Sequence, residues 1–167
     1  MKIRLAGTVN DSIVDGEGIR FVIFVQGCVH NCPGCHNPQT HDFTQGYETD
    51  TDELLEKIKA NPLLDGVTFS GGEPFCQPAP LCEIAKEVKK LGLNVVCYSG
   101  YTFEELIKLS KDDSDIKELL ALTDILIDGR FVLEKRNLLL KFRGSDNQRI
   151  IDVKRSLETG TAVISDD

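Results

Sequence analysis

No run of 18 apolar residues occurs in the 167-residue chain, so no membrane-spanning helix is expected. Basic side chains are in the minority: 19 Lys and Arg stand against 27 Asp and Glu, a net charge of -8. A nucleic-acid partner wants a basic face, so none is expected. The opening residues Met1–Gly7 turn polar too soon for an export signal, which points to a cytoplasmic location. A second CxxC pair is missing, which argues against the usual zinc site built from two separated pairs. No His/Asp or Ser/His arrangement stands out for acid–base or nucleophilic catalysis. There is no internal repeat, and the length falls short of the ~250 residues of a closed eight-fold barrel. A single domain over residues 1–167 is expected, large enough to bury its own core.

What the chain does have is six cysteines and no export signal, which suggests ligation in a reducing compartment. Three of them, Cys28, Cys32 and Cys35, fall within eight residues at CxxxCxxC spacing. They follow the apolar run Ile19–Gln26, so a strand delivers a loop of thiols to the end of a sheet. Soft sulfur donors select zinc, copper(I) or an iron–sulfur cluster. A buried cysteine cluster, or a zinc knuckle borrowing His30, His36 or His41, are the alternatives. Three thiolates on a four-iron cube leave one iron open to a substrate. Cys76, Cys82 and Cys97 read as buried free thiols, with Cys76 beside the Gly71–Pro74 turn.

The remaining pattern alternates strands and helices. Strands are expected at Lys2–Val9, Gly66–Ser70, Leu93–Tyr98, Ile125–Ile127 and Ile150–Val153. Helices are expected from Asp50 to about Asn61, along the Leu81, Ile84, Ala85, Val88, Leu91 stripe, after the Thr102/Glu105 capping box, and over Asp115–Leu122. This rhythm gives at least four βαβ units, an α/β fold in which parallel strands form an open, partial (β/α) barrel. Four loops sit at strand C-terminal ends: Cys28–Cys35, Gly71–Pro74, Ser99–Tyr101 and Asp128–Arg130. Parallel α/β proteins bind ligands there. The stretch from Lys154 onward reads as a loose end.

The CxxxCxxC loop with Gly71-Gly72-Glu73-Pro74 resembles the radical S-adenosylmethionine (radical SAM) enzymes. The Asp15–Arg20, Asp128–Phe131 and Arg143–Arg149 segments, together with the short chain, resemble within them the activating proteins of glycyl radical enzymes, and those serving the anaerobic ribonucleoside-triphosphate reductase above all. The resemblance implies a [4Fe-4S] cluster on Cys28, Cys32 and Cys35, with SAM chelating the fourth iron. It implies that Gly71, Gly72 and Glu73 meet the SAM amino group, helped by Asp128, and that Arg130 pairs with the SAM carboxylate. Ser99 corresponds to a ribose contact. Gly34 stands where an aromatic residue is common, so adenine is left to the backbone of Gly34, Cys35 and His36. The implied reaction takes one electron from reduced flavodoxin or ferredoxin, splits SAM and removes a hydrogen from a glycine of the partner enzyme. Activation of pyruvate formate-lyase or another glycyl radical enzyme, and small-molecule chemistry of the deazaguanine synthase type, are the alternative functions. An electron carrier or zinc module is the non-enzymatic one, although ferredoxins usually supply four cysteines per cluster.

Overall fold

The central strands bury both faces, which is why they read as near-continuous apolar runs. In a computed structural model, which describes residues 1–30, 32–35 and 38–165, seven strands form one sheet. They are β1 (Lys2–Ser12), β2 (Arg20–Val25), β3 (Tyr47–Asp50), β4 (Gly66–Gly71), β5 (Asn94–Tyr98), β6 (Ile125–Asp128) and β7 (Arg149–Asp152). Their spatial order is β3-β1-β2-β4-β5-β6-β7, so the sheet is open. The four central strands β2, β4, β5 and β6 are parallel. At the flanks β1 is antiparallel to both β2 and β3, and β7 is antiparallel to β6. Three βαβ crossovers result rather than four, because the first and last strands return by hairpin-like connections.

Five helices accompany them: α1 (Thr51–Lys59), α2 (Pro78–Lys90), α3 (Phe103–Ser110), α4 (Ser114–Leu122) and α5 (Val153–Thr159). Asp50 caps α1 by accepting from Asp52 N–H, while Glu53 turns to Thr49 rather than closing a reciprocal box. Thr102 and Glu105 do close one at the start of α3. Leu91 lies past the end of α2 and is exposed, so the buried stripe stops at Val88. Val153 begins a helix that Asp152 caps, where a loose end was expected. No helix among the described residues is long and apolar enough to cross a membrane.

Strand alternation sorts the two faces. Phe21, Ile23, Val25, Val67, Phe69, Val95 and Cys97 point to the helices and join Leu54, Ile58, Leu81, Ile84, Leu106 and Leu119 in the main core. Their neighbours point the other way. Phe24 pairs with Ser70, and Tyr98 with Ile127, forming one cross-strand row on the helix-free face. That face is covered by the β1–β2 connection, where Asp15 accepts from Thr68, and by the segment before β7.

Candidate cluster and ligand site

The row Phe24, Ser70, Tyr98 and Ile127 floors a cavity of about 480 Å³. Loops at the strand ends wall it: Cys28, His30, Cys32 and Cys35 after β2, Gly71 and Gly72 after β4, Ser99 and Gly100 after β5, Gly129 and Phe131 after β6. Val14 and Asp15 enter from the β1–β2 connection, and Leu140, Phe142, Arg143 and Gln148 from the segment before β7. Lys141 reaches Glu17 over 3.2 Å, joining those two covering segments.

The three loop cysteines thus line one cavity, each half-buried. Burial, and then the neighbouring Cys35, push the Cys32 thiol up; a hydrogen bond from the Phe131 backbone and the charge of Arg130 oppose this. Among the described residues, no group of three His, Cys, Asp or Glu side chains converges closely enough to hold a single metal ion. Three sulfur donors on one loop, all lining one cavity, fit a cluster. His30 is drawn away from a knuckle role, since its Nε2 lies 2.6 Å from Glu73 Oε1. Cys76 sits beside Cys28 but not among the lining residues. Burial, then Glu73 and Cys28, push its thiol up to about 11. Cys82 and Cys97 are buried in the core.

The other expected site residues divide. Gly71, Gly72 and Ser99 reach the cavity wall. Gly34 occupies the thiol loop at φ 72°, a conformation that favours glycine and accounts for the missing aromatic. His36 lies outside the described residues. Glu73 is fully buried and accepts from the backbone N–H groups of Phe75 and Gly100, from Ser99 Oγ and from His30. Asp128 is also buried; it accepts from Phe103 N–H at 2.7 Å and is forked by Arg149 at 2.5 and 3.0 Å. Arg130 stands exposed at the rim, forked to Glu105.

Two participants escape a reading by motif. One is His30, an apparent spacer between cysteines. The other is Arg143, which lines the cavity and donates through Nη1 to the Gln148 carbonyl. Its Nε is buried without a hydrogen-bond partner, alone among side-chain atoms of the described residues. Such an orphan donor costs about 1–3 kcal/mol. Phe142, just before it, holds φ 63°, an uncommon strain for a bulky residue.

The family described as "4Fe-4S single cluster domain" matches residues 14–151. The anaerobic ribonucleoside-triphosphate reductase-activating protein of Vibrio cholerae is 37% identical over 149 residues, covering 83% of this chain and 90% of that one. This chain belongs to that family. It is thereby one of these activating proteins, and an iron–sulfur cluster goes with the membership. The Escherichia coli K12 member is 32% identical over 148 residues, with 81% and 90% covered. The pyruvate formate-lyase-activating enzyme of Clostridium pasteurianum is 43% identical over 105 residues, but these span only 58% of this chain and 44% of that one. Among solved structures, QueE from Escherichia coli is a partial likeness, with a TM-score of 0.47 and 17% identity over 61% of this chain and 54% of that one.

Proposed function

We propose that this protein cleaves SAM reductively at a [4Fe-4S] cluster and generates the glycyl radical of an anaerobic ribonucleoside-triphosphate reductase. The observation that carries the proposal is the cavity in which Cys28, Cys32 and Cys35, after β2, meet the loops that follow the other three parallel strands. Those cysteines hold the cluster. When bound, the cluster supplies the electron that breaks a sulfonium bond of SAM, and the fragment so released takes a hydrogen atom from glycine. The chain's own residues bind, orient and exclude water. Gly71 and Gly72 present backbone to the SAM amino group, and Ser99 lies on the ribose side. Asp128 acts from behind the wall, through the backbone it fixes, and Glu73 likewise. Arg143 offers a donor to the SAM carboxylate from inside the cavity, with Arg130 adding charge at the rim.

A macromolecular substrate accords with the mouth of the cavity. Ile13 and Val14 are 71% and 69% exposed, and Leu138 and Leu139 are 80% and 94% exposed. They lie on the two covering segments, and an exposed apolar rim of this kind suits a protein partner. We assign the electron to a reduced flavodoxin or ferredoxin and the protein to the cytoplasm. The partial similarity to a pyruvate formate-lyase-activating enzyme favours a second reading, in which a formate-lyase is the partner. Protein reconstituted anaerobically, reduced with dithionite and given SAM should yield methionine and 5′-deoxyadenosine. Cys28→Ala, Cys32→Ala or Cys35→Ala should abolish both products and the brown colour. Product formation by any one of the three variants removes that cysteine from the ligand set. Adding each candidate partner in turn decides between the two readings, since only the true one acquires a radical.

A further inference from the structure

One buried carboxylate ties three loops of the site together. Glu73 Oε1 accepts from His30 Nε2 at 2.6 Å and from Gly100 N–H at 2.8 Å; Oε2 accepts from Ser99 Oγ at 2.9 Å and from Phe75 N–H at 3.1 Å. The side chains of His30 and Glu73 are 4% and 0% exposed. The imidazole also packs edge-to-face on Tyr101, with ring centroids 4.6 Å apart. A Cβ at Gly100 would lie 2.3 Å from His30 Cδ2, so the ring takes this seat only because residue 100 has no side chain. The same turn grips the cysteine loop at its root. Glu73 N–H donates to the Gly27 carbonyl at 2.7 Å, and a Cβ at Gly72 would come within 2.2 Å of that oxygen. Cys28 is therefore bracketed by Gly27 on one side and His30 on the other, both fastened to the Gly72–Glu73 turn.

We propose that His30 and Glu73 form a latch that sets the cysteine loop in its cluster-binding shape before iron arrives. The inference rests on the assignment of Cys28, Cys32 and Cys35 as cluster ligands. His30 is a positioning residue in it: its Nε2 is turned to Glu73, so it acts through the loop. A loop ordered in advance loses less entropy when it binds, so the latch favours cluster assembly and slows iron loss. A histidine that merely fills a gap in the core would leave the loop's order and the cluster unchanged.

The test uses the full chain, with and without cluster. In the reduced apoprotein, hydrogen exchange of peptides spanning residues 27–35 should quicken about tenfold or more in His30→Ala, with the sheet unchanged. His30→Gln, which returns an N–H donor, should recover most of the protection. Gly100→Ala displaces the ring without altering any loop residue and should reproduce the His30→Ala result, which keeps the test open if His30→Ala does not fold. In reconstituted protein, His30→Ala should lose iron to bathophenanthroline about tenfold faster and show an altered EPR spectrum of the reduced cluster, both reversed in His30→Gln. Unchanged exchange in His30→Ala or Gly100→Ala overturns the latch, as does a glutamine variant no better than alanine. If the wild-type protein takes up no cluster, the proposed function fails on its own, and the apoprotein exchange still decides the latch.

Discussion

Arg20 heads the fully buried side chains by volume, and among the described residues it pairs with no carboxylate. Its Nε donates to Thr68, Nη1 to the Glu17 carbonyl and Nη2 to the carbonyls of Val67 and Asn94. Burial lowers its pKa to about 10, against the pull of Asp65 and Asp124. It stands at the N-terminal ends of the central strands and ties the β1–β2 connection to β4 and β5. Arg20→Met leaves those acceptors buried and unmet, so it should cost about 3 kcal/mol and lower the thermal midpoint by roughly 10 °C. A midpoint within about 2 °C of wild type in differential scanning calorimetry contradicts that role. For the two arginines near the cavity, the geometry ranks Arg143 above Arg130. Arg143→Gln should raise the dissociation constant for SAM about tenfold, Arg130→Ala only a few-fold, and iron content should hold in both. Equilibrium dialysis showing the opposite order removes Arg143 from the carboxylate site. The cysteine spacing was readable from the chain because ligand type and spacing are themselves the chemistry. Arg143 was not, because an orphan donor exists only once a fold has buried it. The acidic residues expected at SAM, Glu73 and Asp128, proved to be held by the protein's own donors, which a motif cannot reveal.

At the scale of elements, α3 is clamped to the β6–β7 edge by charge. Arg149 bridges Asp128 of β6 and Glu104 of α3, and Arg130 forks to Glu105 of α3. Hydrogen bonding to Arg149 holds the Glu104 carboxyl below its usual range, and hydrogen bonding to Arg130 does the same for Glu105. A carboxyl with a lowered folded-state pKa adds stability above its unfolded value, near 4.3, and loses it as pH falls through the folded value. Both groups are largely exposed, so the effect is small. Urea midpoints should therefore fall less steeply from pH 5 to pH 3 in a Glu104→Gln/Glu105→Gln variant than in wild type; parallel slopes contradict the clamp. The helices themselves were legible where an amphipathic stripe, as in α2, or a capping box, as in α3, marked them. The edge strand β3 was not, since Tyr47–Asp50 buries little and pairs only with β1. Likewise α5 lacks a long apolar stripe, with Val153 and Ser156 its buried residues.

On the scale of the whole molecule, an open sheet leaves one face to the helices and the other to a cavity. The parallel rhythm announced the first. The second arises from two long connections that fold across the sheet, and connections carry no periodicity to read. Their exposed apolar tips are the surface we assign to the partner. Leu138→Asp with Leu139→Asp should weaken binding to the reductase about tenfold in an anaerobic pull-down titration. Full affinity in that variant moves the contact elsewhere.

The most direct measurement is EPR of the reductase after anaerobic mixing with this protein, dithionite and SAM. A glycyl radical doublet that appears with wild-type protein and disappears with Cys32→Ala is the predicted result. A reconstituted, SAM-cleaving protein that leaves the reductase without a radical contradicts the assigned partner. A colourless zinc-loaded protein with no cleavage contradicts the activity itself.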